Sequence, residues 1–377
     1  MEVRIGDSIE CNPTVKLVKG NEYPLIDIDK ITVGRKLVTN KDTIVYEKQS
    51  GCKFQNGDTL MARITPCLEN GKMAMASIPD KGIGSTELFV FRGKKGITDN
   101  DFVYYFLKQS YIRNLAANSM TGASGRQRAD LKFIKKIKFD LPTLPIQQKI
   151  ASTLSAYDRL IENNTRRIRL LEQMAENLYK EWFVRFRFPE HEKVEMVNGL
   201  PKGWKIKRYE EELNIRYGKG LSTEQLKEEG YPVFGSNGQI GFYDSYMYDN
   251  PQILISCRGA SSGIVNISLP KSFITSNSLI CERTEKTESL YEYLKYYFLN
   301  NNLVQYQTGS AQPQITINNI VKLKLLVPEL KVQRSFSEKI RVIDMEIYNL
   351  QSQIQLLTRQ RDLLLPRLMS GKLEVKS

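Results

Sequence analysis

The chain carries one pattern of polar, apolar and proline residues at two places. Residues 135–150 read KKIKFDLPTLPIQQKI and residues 321–336 read VKLKLLVPELKVQRSF, an offset of 186 residues. The two copies share an order of residue types and few identical residues. Because the same pattern requires the same local fold, the chain is predicted to contain two units of one design that do the same job at two places.

The residues behind each copy predict a long amphipathic helix, over about residues 145–186 and 332–364, the second with Pro366 near its end. Apolar positions recur there at alternating spacings of three and four, which is typical of a coiled-coil seam. The predicted seam positions are Leu154, Tyr157, Ile161, Asn164, Ile168, Leu171, Ala175, Leu178 and Trp182 in the first helix, and Ile340, Ile343, Ile347, Leu350, Ile354, Leu357, Arg361, Leu364 and Leu368 in the second.

Two of these seam positions are polar. Asn164 matches Leu350 of the second helix, and its amide is either buried, fixing the register at some cost in stability, or facing water at a local gap. Arg361 matches Ala175, and we expect frayed packing at that end to expose its guanidinium.

The predicted fold class is α+β: two mixed strand-rich globular domains in a pseudo-two-fold repeat, joined by two long antiparallel coiled-coil helices. The helices must be antiparallel, because the first leads from one domain to the next and the second runs back if their apolar stripes meet. A seam of about 33 residues would be roughly 50 Å long, the length of about 15 base pairs. The predicted parts are a first domain (1–144), a first helical spacer (145–186), a linker (187–203), a second domain (204–327) and a second helical spacer with its tail (328–377).

Within both domains, short apolar runs between Gly, Asn, Asp and Pro indicate strands and turns. TLMARIT (59–65) parallels ILISCRG (253–259), and VYYFLK (103–108) parallels KYYFLN (295–300). One helix is predicted over residues 101–115. Its Phe102, Tyr105, Phe106 and Tyr111 are predicted to be core residues, with a base-stacking platform as the alternative.

The charge of the chain points to a polyanionic partner. Its formal net charge is +13 and its pI is about 9.3, and Lys and Arg replace the counterions condensed on nucleic acid. Five scattered cysteines without a Cys-x-x-Cys pair indicate reduced thiols rather than a zinc site or a disulfide scaffold. Neither a leader pattern nor a run of about 18 apolar residues is present, so a cytoplasmic protein without a membrane partner is expected.

The chain lacks the residue patterns of an active site. Its single histidine, His191, lies in a charged stretch and is expected to be solvated. We find neither a Gly-x-x-x-x-Gly-Lys-Ser/Thr loop nor a Gly-x-Gly-x-x-Gly motif, and no Asp/Asn-Pro-Pro-Tyr stretch of an amino-methyltransferase. The chain is therefore predicted to be no enzyme and to have no metal site.

Polar, glycine-containing loops suited to reading base edges remain. Arg can bind guanine, and Asn or Gln adenine, through paired hydrogen bonds in the major groove. The candidate DNA-binding residues are Arg63, Thr65, Asn70, Lys72, Ser85, Thr86, Ser124, Arg126, Gln127 and Arg128 in the first domain, and Ser236, Asn237, Gln239, Arg258, Ser261, Ser262, Ser276, Asn277, Gln312 and Gln314 in the second. Each could instead belong to an ordinary turn. The basic run 126–138 either neutralises phosphate or is a solvated strand edge.

The repeated segments resemble the specificity subunits of type I restriction-modification enzymes. The likeness covers essentially the whole chain, and its most specific pieces are LPTLPIQQKIASTLSAYDRLIE (141–162), LYKEWFVRFRFP (178–189), GLPKGW (199–204) and LLLPRLMSGKLEV (363–375). In addition, DTLMARITPCLENGK (58–72) and TGASGRQRADL (121–131) resemble one class of target recognition domain.

The resemblance implies that the two domains are target recognition domains, each reading one half of a split sequence in double-stranded DNA. It also implies that the helices act as a ruler and dock two modification subunits, which bind S-adenosylmethionine and methylate adenine. Restriction subunits would add ATP-driven translocation and cleavage. S-adenosylmethionine, ATP and Mg are thus expected on partner subunits, and this chain is expected to bind no cofactor.

Two other hypotheses remain open. A structural adaptor would contact nucleic acid loosely while its helices assemble other proteins, without sequence specificity. A self-contained nuclease would require a metal-binding carboxylate cluster, which the sequence does not show.

Overall fold

A computed structural model of the chain describes residues 1–40, 42–123, 125–309 and 312–373. The chain divides into two units: unit 1 consists of Met1–Arg167 together with Leu350–Ser377, and unit 2 is the single segment Ile168–Asn349. Strands and helices are mixed in both units, so the predicted α+β class is confirmed. Residues 187–203, the predicted linker, lie within unit 2 and contain the 3-10 turn His191–Lys193 and the strand pair Met196–Val197 and Leu200–Pro201.

Unit 1 is built on two sheets. The order of the five-stranded sheet is Ile9–Cys11, Leu88–Gly93, Thr59–Ala62, Met73–Ala76, Leu37–Val38, and the order of the four-stranded sheet is Thr43–Val45, Glu22–Ile26, Lys81–Gly84, Cys52–Gln55. Glu2–Arg4 pairs with Lys138–Asp140. The short helices are Ile5–Ser8, Ile28–Lys30 (3-10), Asn100–Lys108, Ser110–Asn118 and Leu131–Lys136.

The five-stranded sheet of unit 1 is buried on both faces. Met61 and Phe89 belong to one apolar cluster with the helix Asn100–Lys108, whereas Leu60 and Val90 belong to another with Phe54 of the second sheet. Strands covered on both faces read as continuous apolar runs rather than alternating ones. This is why LFVF and TLMA are apolar at almost every position.

Unit 2 repeats this architecture. The order of its four-stranded sheet is Leu213–Tyr217, Ser278–Arg283, Ile253–Ser256, Val265–Ile267, and the order of its three-stranded sheet is Gly238–Tyr243, Tyr231–Gly235, Phe273–Ile274. Lys205–Arg208 pairs with Lys324–Val327. The short helices are Tyr209–Glu212, Thr223–Gln225 (3-10), Tyr291–Asn300, Val304–Tyr306 (3-10) and Ile317–Ile320.

The five-stranded sheet of unit 1 and the four-stranded sheet of unit 2 pair their equivalent strands in the same register. Leu88 lies opposite Ala62 in unit 1, and Ser278 lies opposite Ser256 in unit 2. The two strand pairs TLMA with LFVF and ILIS with SLIC are therefore equivalent, as the parallel between residues 59–65 and 253–259 predicted.

The predicted helix over residues 101–115 is instead two helices. The backbone becomes extended at Gln109 (φ −61°, ψ 136°), whose side-chain Nε2 and backbone N–H both donate to the Phe106 carbonyl and end the first helix. Phe102 and Phe106 are buried as predicted, but Tyr111 lies beyond the break and is 46% exposed. The prediction of Tyr111 as a core residue was wrong.

The first long helix is Leu144–Tyr179, followed by a π-helical turn over Lys180–Val184, and the second long helix is Leu330–Met369. Pro366 lies inside the second helix, because the last turn continues through the bond from the Ser370 N–H to the Pro366 carbonyl. Every predicted seam position is buried or partly buried. None of the helices in the described ranges is both long and apolar enough to cross a membrane.

In unit 1 the long-helix segments are antiparallel and joined by polar groups. Asn164 is buried and donates to Gln353 Oε1 at 3.1 Å, so its amide faces the other helix rather than a gap in the seam. Arg361 is only 3% exposed, because its Nη1 lies 2.5 Å from a buried oxygen of Asp158. The expectation of an exposed Arg361 was therefore wrong. Asp158 also accepts a hydrogen bond from Tyr105 of the helix Asn100–Lys108.

In unit 2 aromatic rings take the corresponding place. Phe336 of the second long helix is fully buried, with ring centroids of Phe183, Trp182 and Tyr179 at 4.9, 5.9 and 6.4 Å. Tyr293 of the helix Tyr291–Asn300 joins the same cluster, 4.7 Å from Phe183.

Candidate nucleic-acid interface

Three loops meet at one end of the five-stranded sheet of unit 1, and we call residues 63–72, 85–87, 121–123 and 125–128 the unit 1 loop cluster. The Arg63 N–H donates to the Glu87 carbonyl at 3.0 Å, and the Thr65 N–H donates to the Gln127 carbonyl at 3.0 Å. Thr121 and Arg128 exchange two backbone hydrogen bonds of 3.1 and 3.0 Å. The loop that follows the strand Thr59–Ala62 therefore holds the loops 85–87 and 125–128 in place.

Unit 2 brings three loops together in the same way, and residues 257–263, 275–277, 308–309 and 312–314 form the unit 2 loop cluster. The Cys257 N–H donates to the Asn277 carbonyl at 3.0 Å, and the Gly259 N–H donates to the Pro313 carbonyl at 3.1 Å. Thr308 and Gln314 exchange two backbone hydrogen bonds of 2.8 and 2.9 Å. A fourth segment joins here, since the Ser261 hydroxyl donates to Asn237.

These backbone bonds place the residues of the two clusters in register. The backbone carbonyl of Glu87 accepts from the first loop of its cluster, as the carbonyl of Asn277 does in unit 2. Arg128 is the second residue of the backbone pair in unit 1, and Gln314 is the second residue of the pair in unit 2. Two residues after each of these positions stands the N-cap of a short helix, Asp130 in unit 1 and Thr316 in unit 2. The two clusters thus share the backbone bonds that hold their loops together, although the loops differ in length and in side chains.

The side chains of the unit 1 loop cluster border an electropositive groove of about 580 Å³, lined by Arg63, Arg128, Lys132, Lys135, Asn12, Thr121 and Asp130 among others. The Arg63 guanidinium lies over the Phe89 ring, 5.1 Å from its centroid, and its Nε is buried without a hydrogen-bond partner. Arg128 forms an ion pair with Glu87, and its hydrogen bonds lower the pKa of that carboxyl. This groove can accept an anion.

Two segments, residues 2–173 and 201–358, match the family described as the type I restriction modification DNA specificity domain. The chain belongs to this family. The resemblance predicted from the repeated segments is thereby confirmed, and the specificity function is supported over the adaptor alternative, because DNA recognition follows from the family.

Specificity subunits of Methanocaldococcus jannaschii are similar along most of their length. The MjaIX specificity subunit is 26% identical over 308 residues, which is 75% of this chain and 71% of the relative. The MjaVIII specificity subunit is 24% identical over 415 residues, which is 100% of this chain and 93% of the relative. A crystal structure of the S subunit of a type I restriction-modification system from M. genitalium has a TM-score of 0.58 at 18% identity, covering 98% and 96% of the two chains, and shows the same fold.

The candidate DNA-binding residues of this specificity-family chain differ in exposure. Exposed residues are Asn70, Thr86, Arg126, Arg128, Asn237, Gln239, Arg258, Asn277, Gln312 and Gln314. Half-buried residues are Arg63, Thr65, Lys72, Ser85, Gln127, Ser236, Ser261 and Ser276. Ser124 lies outside the described residues. All the exposed candidates remain predictions of DNA contact.

In a few of these candidates the polar group is buried or bonded within the protein. Ser262 is fully buried, so its predicted DNA contact is corrected: the hydroxyl does not reach the surface. Lys72 Nζ donates to the Ile28 carbonyl at 3.2 Å, and the Thr65 hydroxyl is buried. These residues shape the loops rather than present a free polar group.

Sequence reasoning missed the role of Glu87, which binds Arg128 across 41 residues of chain. Asn12 also went unnoticed, although it lines the groove and accepts from the Val90 N–H. The basic run 126–138 separates into groove residues Lys132 and Lys135 and an exposed Lys138 that pairs with Glu2. A glutamate directly before a buried strand was the one available signal for Glu87.

Proposed function

We propose that this chain is the DNA sequence-specificity subunit of a type I restriction-modification complex, in which each unit reads one half of a bipartite target. One observation carries the proposal: the two units of this chain, a member of a DNA specificity family, hold polar loop clusters at equivalent places. Each cluster offers Arg, Asn or Gln side chains on loops held by a rigid sheet, which is how proteins position base-reading groups.

Positive charge around the unit 1 loop cluster supports binding to the DNA backbone. Lys132 and Lys135 line the groove beside Arg63, and neither forms an ion pair with an acidic residue of the described chain. Phosphate contacts of this kind supply affinity that depends on salt, whereas base contacts supply specificity. The two roles would therefore fall on neighbouring residues of one surface.

The long helices would set the spacing of the half-sites and dock two modification subunits, with restriction subunits completing the complex. Apolar side chains outside the seam support docking: Leu160, Leu170, Met174, Val342, Met345, Tyr348, Leu356 and Leu363 are 50–70% exposed. Exposed apolar surface of this extent on helices is typical of protein–protein interfaces.

In this proposal the chain steers chemistry that its partners perform. The described residues contain no group of three or more His, Cys, Asp or Glu side chains that could hold a metal ion. S-adenosylmethionine, ATP and Mg would be bound by the modification and restriction subunits. Chromosomal DNA as the substrate implies that the complex works in the cytoplasm.

The test is co-expression of the chain with its modification subunit in a host without adenine methylation, followed by genome-wide mapping of N6-methyladenine. We expect one split motif with a fixed spacing. A stable complex that methylates without any motif would instead support the adaptor. Adding one heptad to each helix should lengthen the spacing, and an unchanged spacing would contradict the ruler.

The assignment of one half-site to each unit is tested by Arg258→Ala. Arg258 is exposed in the unit 2 loop cluster, and its backbone forms an isolated antiparallel β-bridge with Gln314. If it contacts a base, the variant should relax one half-site and leave the other legible, because a guanine contact contributes about 1–3 kcal/mol of discrimination. Equal weakening at all sequences, with a salt slope reduced by about one, would make Arg258 a phosphate contact.

A further inference from the structure

The two loop clusters differ in charge at a pair of equivalent positions. Unit 1 has the ion pair of Glu87 and Arg128, and unit 2 has the neutral amides Asn277 and Gln314. The backbone bonds around all four residues are the same in both units. At these four positions the two units share their backbone bonds and differ in their side chains, as two readers of different bases would require.

Glu87 binds one edge of the Arg128 guanidinium and leaves the other free. Its carboxylate accepts from Nε at 2.9 and 3.0 Å and from Nη2 at 2.5 Å. The Nη1 donors and the second Nη2 hydrogen have no partner in the described residues, and the Arg128 side chain is 44% exposed. Two parallel N–H donors on a fixed guanidinium match the O6 and N7 acceptors of guanine.

The equivalent residue of unit 2 carries a donor and an acceptor instead of two donors. Gln314 is exposed, and its backbone is tied to Thr308 while its side-chain amide has no partner among the described residues. Asn277, at the Glu87 position, is exposed and its amide is likewise unpaired there. An amide of this kind pairs with N6 and N7 of adenine through one accepted and one donated hydrogen bond.

We propose that unit 1 reads a guanine through Arg128, held in place by Glu87 as a positioning residue, and that unit 2 reads an adenine through Gln314 at the equivalent position. The inference rests on the proposed function of the chain as a DNA specificity subunit. It adds which residue of each cluster sets the base and predicts a G·C pair in one half-site and an A·T pair in the other.

The experiment maps N6-methyladenine in cells that express the modification subunit with wild-type chain, Arg128→Gln, Arg128→Lys or Glu87→Gln. For Arg128→Gln we expect the preference for guanine at one position of one half-site to fall by about ten- to hundred-fold. The other half-site should be unchanged. Arg128→Lys should also relax that guanine, since a lysine keeps the charge but loses the flat fork. Glu87→Gln should relax the same guanine and no other base.

A graft tests the same inference by gain of function. The double variant N277E/Q314R places the Glu–Arg pair of unit 1 on the scaffold of unit 2, and we expect it to change one adenine requirement to guanine. The exposed Lys95→Gln serves as a control, which should retain the wild-type motif. Circular dichroism and hydrogen exchange of each purified variant identify any that fails to fold, and only the folded variants are used to judge the inference.

Two outcomes would overturn the inference while leaving the proposed function intact. In the first, wild type gives a split motif but Arg128→Lys keeps it and Arg128→Gln lowers methylation equally at all sites, which would make Arg128 a phosphate contact. In the second, all folded variants leave both half-sites unchanged. Absence of any motif with the wild-type chain would instead contradict the proposed function itself.

Discussion

The two units attach the same pair of long helices by different chemistry. Both units bury apolar side chains of these helices. Unit 1 adds the buried ion pair of Arg361 and Asp158, extended by Tyr105, whereas unit 2 packs rings around Phe336 and Phe183, mostly edge to face. Burial of rings is insensitive to pH and tolerant of small shifts, whereas a buried ion pair depends on geometry and on its partner remaining charged. We call the ion pair of unit 1 with its Tyr105 contact the directional joint, and the ring cluster of unit 2 the hydrophobic joint.

The largest effect is expected at the hydrophobic joint, from Phe336→Ala. The side chain is fully buried among four rings, so its loss should leave a cavity and lower the free energy of unfolding by about 3–5 kcal/mol. Both tryptophans, Trp182 and Trp204, lie in unit 2, so Trp fluorescence in urea reports on this unit. An unchanged midpoint would show that the rings are not what holds unit 2 to its helices.

The directional joint is tested by Asp158→Asn, which removes the buried charge partner of Arg361 and leaves it only the half-exposed Asp362. We expect a loss of about 3 kcal/mol, read by hydrogen exchange in the helix Asn100–Lys108 and in the helical segments of unit 1. The double variant D158L/R361M should recover most of the loss, because it removes both charges. Lys202→Gln, which breaks an exposed pair with Glu195, is the control and should cost below about 1 kcal/mol.

Lys108 makes the directional joint sensitive to pH. Its Nζ is buried without a hydrogen-bond partner, and burial, aided by nearby Arg361, lowers the pKa of its ammonium to about 8. Because the unfolded chain holds this proton more tightly, the group destabilises the fold below pH 8, and stability rises as pH increases from 8 toward 10.5. Lys108→Met should therefore stabilise unit 1 by about 2 kcal/mol at pH 7.

For Lys108→Met, hydrogen exchange measures the unfolding free energy of wild type and variant at several pH values from 6 to 10.5. The gain of the variant should be largest below pH 8 and shrink above it. A gain that stays constant with pH would mean that improved packing, not the removed charge, causes it.

The smallest effect is expected from Asn164→Leu, which gives the first helix the residue of the second at the matched position. Removing a buried amide from a seam should raise stability by about 1 kcal/mol and weaken the choice of register. Hydrogen exchange over residues 154–167 and light scattering for oligomeric state check both expectations. A clear loss of stability would show that the bond to Gln353 outweighs the burial of the amide.

The repeat, the long helices and the seam could be predicted because heptad spacing and the duplicated motif are local properties of the sequence. Arg361 could not, since the charge that buries it stands at Asp158, 203 residues away in the chain. Pro366 was expected near a helix end, yet the burial of Leu365 and Leu368 in the core of unit 1 keeps that turn helical.

The loops of the candidate interface were found from their composition, but composition does not separate a hydroxyl that faces solvent from one that faces the core. Ser261 and Ser262 are neighbours in the sequence, and only the second is fully buried. The pairing of Glu87 with Arg128 joins two loops that meet only once the sheet has formed. Such tertiary contacts lie beyond what single-sequence patterns encode.

Unit 1 draws on two distant stretches of chain, whereas unit 2 is contiguous. During synthesis, the strands and helices of unit 1 emerge first, but Arg361, the partner of Asp158, is translated 203 residues after it. Unit 2 has all its residues by Asn349 and can complete its core earlier. Unit 1 therefore begins to be synthesised first but is completed last. The Asp158 carboxylate stays without Arg361 until the second long helix has left the ribosome.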